Sequence, residues 1–202
     1  MRLHWQKVNN LPAVKYTCGY CGLLQSPDKG YTGTSQDRLG SHEDVYIYIC
    51  SNCDKPTFFY TPKGDQTPAP IYGENVGGID DENTNKLFQE ARNCVELAPT
   101  SAIMACRKIL MHVAVVKGAK QNLAFGDYVK YLSDNNFVPP DSKDWVDYIR
   151  QKGNEANHQI VLMSKDDAKN LLDFTTMLLK VIFEYPSKAR KLNSGKQPQP
   201  QP

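Results

Sequence analysis

Cysteine thiols are the strongest chemistry in this sequence. Four of the six fall into two matched pairs, Cys18-x-x-Cys21 in T-C-G-Y-C-G and Cys50-x-x-Cys53 in I-C-S-N-C-D. Two residues between thiols let one tight turn bend both sulfurs onto a single ion, and four thiolates fill a tetrahedral shell at about 2.3 Å from zinc. Such a Zn2+ ion is structural, because no coordination position stays open for water or substrate. Disulfide pairing is the competing use of the same residues; a reducing compartment argues against it. His42, in the loop between the pairs, reads as a surface histidine rather than a further ligand.

A second group lies at Trp145–His158, W-V-D-Y-I-R-Q-K-G-N-E-A-N-H. At about 100° per residue a helix here puts Trp145, Ile149, Gly153, Ala156, Ile160 and Met163 on one face. Arg150, Asn154 and His158 form a second stripe on roughly the opposite side. A guanidinium, an amide and an imidazole in line can hold a phosphate and move a proton. The same three side chains can equally form a hydrogen-bonded strut between helices.

The elements that must position these groups differ along the chain. Val45–Ile49 and Thr57–Tyr60 are rich in β-branched and aromatic residues, so the second cysteine pair reads as a knuckle between two strands. A module of this size with so few aliphatic residues needs a structural metal to hold it. Tyr46, Tyr48, Phe58, Phe59 and Tyr60 then serve either as its small core or as rings that stack bases. Thr61–Gly78, dense in Pro and Gly, reads as a linker.

Helical periodicity follows, over about Asp81–Leu97, from a Thr100 cap to Lys117, over Phe125–Asn135, and over Trp145–Met163 after Ser142. A last helix begins at the capping box Ser164–Asp167, ends at Pro186, and reads as the central one from its apolar residues. Arg107 is expected either to meet a carboxylate such as Glu155 or to carry its head to the surface. Cys94 and Cys106 read as small buried hydrophobes without a role. The fold class is α+β: residues 1–73 as N-terminal segment and ribbon, 74–79 as the end of the linker, 80–186 as an all-α bundle of about five helices, and 187–202 as a disordered tail.

Charge narrows the partners. The net charge is +2, but Ser187–Pro202 alone supplies +4, which leaves the rest at −2. Residues 12–73 hold five Lys or Arg against six Asp or Glu, a weak footprint for nucleic acid. No secretion signal is recognised near Arg2, His4 and Lys7, and Asp173 and Lys180 interrupt the best candidate for a membrane span, so the expected address is the cytoplasm with no membrane partner.

The strings L-F-Q-E-A-R-N-C (Leu87–Cys94), M-A-C-R-K-I-L (Met104–Leu110) and Trp145–His158 resemble the bacterial domain-of-unknown-function family 4145 over about residues 80–186. That resemblance implies an N-terminal zinc ribbon in many members, a bundle similar to the HEPN nucleotide-binding domains, a homodimer, and for some members a place beside restriction or phage-defence genes. Active HEPN proteins are metal-independent ribonucleases using an Arg and a His on one helix, which Arg150 and His158 match in type, with Asn154 between. Here seven residues separate Arg150 from His158, a wider spacing than the ribonuclease pattern. They lie roughly 12 Å apart along the axis, so a shared site needs two chains or a kink at Gly153-Asn154.

Three functions follow. The first is a module that binds RNA, DNA or a defence-system protein. The second is a metal-independent endoribonuclease with Arg150 and His158 meeting across a dimer. The third is a structural or dimerisation domain without a ligand.

Overall fold

The structure is a computed structural model that describes residues 3–36, 42–60, 64, 66–158 and 162–194; the side chains at 3–4, 35–36, 42–44, 156–158 and 194 fall outside that description. The fold is α+β, antiparallel strands followed by helices. It divides into two compact units, Met1–Ile71 and Tyr72–Pro202.

The first unit is larger than a two-stranded knuckle. Its main sheet has strand order β1-β4-β5-β6-β7, with β1 Leu3–Val8, β4 Gly30–Gln36, β5 His42–Ile49, β6 Pro56–Phe59 and β7 Gln66–Thr67. A separate pair joins β2 (Tyr16–Thr17) to β3 (Leu24–Gln25). Alternation along β5 and β6 splits the expected aromatic cluster in two. Tyr46, Tyr48 and Phe59 point to one face and form a small core with Leu11, Tyr16, Cys18 and Cys50. Edge contacts hold it, with ring centroids 5.4 Å apart for Tyr48–Phe59 and 5.1 Å for Tyr16–Phe59. Phe58 takes the opposite face.

The stretch read as linker is partly sheet. Strand β7 pairs with β6, and Gln66 Nε2 donates to the carbonyls of Thr17 and Pro68, both at 2.9 Å. Proline and glycine density marked the turns there but hid a two-residue strand.

In the second unit, helices α1 (Glu82–Cys94), α2 (Pro99–Val116), α3 (Phe125–Asp134), α4 (Lys143–His158) and α5 (Lys165–Leu179) enclose one core. The Asp81 side chain caps α1 by accepting from Thr84 N at 2.9 Å. Helix α2 starts at Pro99, whose missing N–H costs nothing at a first helical position. Thr100 is therefore not its cap; its hydroxyl accepts from Met163 N at 3.1 Å, and Met163 lies beyond α4. The Ser164–Asp167 capping box of α5 forms as read.

The central helix is α2, which packs against α1, α3, α4 and α5. Its 18 residues, at mean hydropathy 1.2, are by length and composition apolar enough to cross a bilayer, so the best candidate for a span is this helix rather than the one interrupted by Asp173 and Lys180. Ile103, Ile109, Leu110 and Val113 of that apolar surface lie in the bundle core. Buried Arg107 meets no carboxylate among the described residues: its guanidinium donates to the Gly153 carbonyl and lies 4.3 Å from the Phe125 ring centroid. Glu155 instead accepts from Gln151 and Lys152.

The last helix does not stop at Pro186. One π-helical turn, Lys180–Glu184, widens the backbone so that Tyr185 N–H bonds Lys180 O. The chain then continues as α6, Tyr185–Ser194. Proline is tolerated where the hydrogen-bond register has already shifted, since its absent N–H and bulky ring meet a loosened turn. The expected disorder of 187–202 thus gives way to helix as far as Ser194, and 195–202 lie outside the described residues.

Candidate metal centre

Two turns of the same design carry the four thiols. In the first, Gly22 N bonds Cys18 O at 2.9 Å and Cys18 N bonds Leu23 O at 2.9 Å. In the second, Asp54 N bonds Cys50 O at 3.0 Å and Cys50 N bonds Lys55 O at 3.0 Å. The residue after each second cysteine is left-handed, Gly22 at φ 73° and Asp54 at φ 54°. Glycine and aspartate are among the residues that adopt this conformation most readily. Gln25 ties the two turns together by accepting from Ser51 N at 3.0 Å and Ser51 Oγ at 2.9 Å.

This brings all four Sγ atoms within 4.8 Å of one another. Cys18 Sγ lies 3.8 Å from Cys53 Sγ, and Cys21 Sγ 3.6 Å from Cys50 Sγ. A tetrahedron with arms of about 2.3 Å has edges of about 3.8 Å, so the sulfurs stand where a tetrathiolate ion needs them. A disulfide would need about 2.05 Å, and all four cysteines are free thiols.

The acidities of the thiols follow from crowding. Burial opposes ionisation at Cys50, yet backbone N–H groups of Asn52 and Cys53 pull it down to about 6. At Cys53 the Lys55 N–H works downward, but burial and the neighbouring sulfurs push it up to about 12. Four thiolates this close repel one another, and a divalent cation removes that repulsion. The arrangement fits a metal ion held entirely by protein sulfur. The His42 side chain falls outside the described residues.

The polar stripe of α4 is built differently. Arg150 Nη1 pairs with Asp147 Oδ1 at 3.1 Å, and its Nε is buried without a partner among the described residues. A Cβ on Gly126 of α3 would lie 3.3 Å from that Nε, so the guanidinium is packed against α3. Asn154 is exposed one turn on. The His158 side chain lies outside the described residues, so the pairing of Arg150 with His158 is not described either. Cys106 is buried, which pushes its thiol up to about 12.

A family model described as "Domain of unknown function (DUF4145)" matches residues 89–195, more than half of the chain. The chain belongs to that family. The match spans α2 to α6, so the helix beyond Pro186 is part of the DUF4145 domain rather than an appended tail. No curated protein and no solved structure matches the chain.

One positioning residue, Arg92, escaped the sequence reading, and another, Arg107, was read with other partners than it has. Arg92 of α1 donates to the carbonyls of Tyr72 at 3.0 Å and Gly73 at 2.7 Å and so clamps the chain entering the bundle. Arg107 and Phe125 hold Gly153 of α4. An arginine amid apolar helix residues was the available sign at Arg107; Arg92, between Glu90 and Asn93, carried none.

Proposed function

We propose that this DUF4145 protein is a non-catalytic module that binds nucleic acid and whose N-terminal sheet is held by one structural zinc ion. The observation that carries the binding role is α6. Residues 185–202 contain no Asp or Glu against Lys188, Arg190, Lys191 and Lys196, and Lys188, Arg190 and Lys191 are exposed on a helix. Lys188 and Lys191 lie one turn apart on one side of that helix, Arg190 lies on another, and Lys188 also pairs with Glu184 one turn earlier; held on a helix, such charges are fixed where phosphates can meet them. Zinc fits the donor set because soft thiolates in a tetrahedron suit it and leave it no redox or substrate role.

Binding is favoured over ribonuclease chemistry by Arg150, whose guanidinium is already shared with Asp147 and packed on α3. The resemblance to HEPN bundles adds a homodimer and an accessory place in a defence system to this reading; sedimentation of the full chain tests the dimer.

The experiment is anisotropy of a labelled oligonucleotide titrated with the metal-loaded chain. Affinity should fall roughly tenfold or more between about 50 and 200 mM salt. Reversing Lys188, Arg190 and Lys191 to Glu should flatten that salt dependence and cost at least about tenfold in affinity at low salt. Absence of binding at low salt, or a charge-reversed variant that binds as well, overturns the proposal; turnover of RNA would favour the ribonuclease instead.

A further inference from the structure

The face of the main sheet opposite the small core carries rings that reach solvent. Register puts Trp5, Gly33 and Val45 in one row across β1, β4 and β5, and Lys7, Tyr31, Ile47 and Phe58 in the next. Trp5 is 44% and Tyr31 38% exposed, unusual for large aromatic residues of one sheet face, and Lys7 beside Tyr31 is exposed as well.

Trp5 is seated rather than loose. A Cβ on Gly33 would come within 3.0 Å of Trp5 Cε3 and Cζ3 and 2.7 Å of Val45 Cγ2. The indole therefore occupies the space that a side chain at Gly33 would fill, and it meets Phe58 edge-on at 6.4 Å between centroids and 66° between planes. Val45 beneath is fully buried. The only charged side chain described on these strands of this face is Lys7; Glu43 shares the register, but its side chain is outside the description.

We propose that this open face is a stacking platform for the bases of a single-stranded nucleic acid. It rests on the nucleic-acid reading above and adds the place where bases, rather than phosphates, are met. Aromatic rings seated on a sheet beside a lysine offer what an unpaired strand needs, π-faces for bases and a cation for the backbone. A duplex keeps its base faces stacked on one another and gains little from such rings. Exposed Trp and Tyr also serve protein interfaces, but lysine is depleted from those, and here Lys7 stands directly beside Tyr31 in the register.

The test uses the metal-loaded full chain, oligothymidylate, and a duplex of the same length. Trp5 is exposed, whereas Trp145 packs edge-on against Phe174 at 5.0 Å, so quenching reports the sheet face. Oligothymidylate should quench tryptophan emission, the duplex should not, and Trp5→Phe should remove most of the quenching. Tyr31→Ala and Lys7→Glu, both at exposed positions, should each weaken single-strand binding, Tyr31→Ala by roughly tenfold. Metal content and circular dichroism confirm that the variants fold. If single strand and duplex bind alike, and Tyr31→Ala and Lys7→Glu leave affinity within about twofold while reversal of the α6 charges abolishes it, the platform is wrong and the nucleic-acid reading stands. If the native chain binds neither probe at low salt, both fail.

Discussion

At Gly153 helix α4 packs directly on α3, and one added methyl group there would meet the Phe125 ring at 2.0 Å. The sequence allowed a close neighbour at this position from residue size alone. It could not say that the neighbour is an aromatic ring, or that Arg107 lies across that ring and donates to the Gly153 carbonyl. Alanine is the better helix former by roughly 1 kcal/mol. A buried ring that must move costs more, so Gly153→Ala should destabilise the second unit by about 1–3 kcal/mol in chemical denaturation. A variant as stable as the parent would show that α3 yields freely. The cysteines were legible for the opposite reason: spacing within each turn is local chemistry, and Gly22 and Asp54 adopt the left-handed conformation that closes it.

At the scale of elements, the cap of α5 does more than end a helix. Asp167 accepts from Tyr148 Oη of α4 at 2.6 Å and from Ser164 Oγ at 2.7 Å, so one carboxylate fixes both the start of α5 and its contact with α4. Burial alone pushes its pKa up, but these donors outweigh it and hold the carboxyl below its ordinary range. A lowered folded value means stability that is present above the unfolded carboxylate pKa of about 4 and is lost as pH falls through the folded value. Asp167→Asn should therefore cost about 1–2 kcal/mol near neutral pH, and the gap between variant and parent should close in acid. A gap that does not change with pH would contradict the ionised cap. Capping boxes can be read because their partners are three residues apart. The extra strands β1, β4 and β7 could not, since a strand needs a partner that sequence spacing does not supply. Tyr185–Ser194 was missed because Pro186 is a stop in an ordinary helix and a tolerated residue after a π turn.

For the whole molecule, the two units draw their stability from different sources. The second has a core of Phe88, Ile103, Leu110, Leu132, Ile149, Leu172, Phe174 and their neighbours, with α2 at its centre. The first has a small aromatic core on one side of a sheet, and the thiols of Cys18 and Cys50 belong to that core. A sheet so thinly covered depends on whatever neutralises its four sulfurs, and the aromatic face and Lys7 depend on the sheet in turn. The most direct measurement is metal content of the purified chain together with X-ray absorption at the zinc edge. Expected is one zinc per chain with four sulfur neighbours at about 2.3 Å. A chain that carries no stoichiometric metal, or zinc ligated by nitrogen or oxygen, would contradict a sheet folded around a tetrathiolate ion.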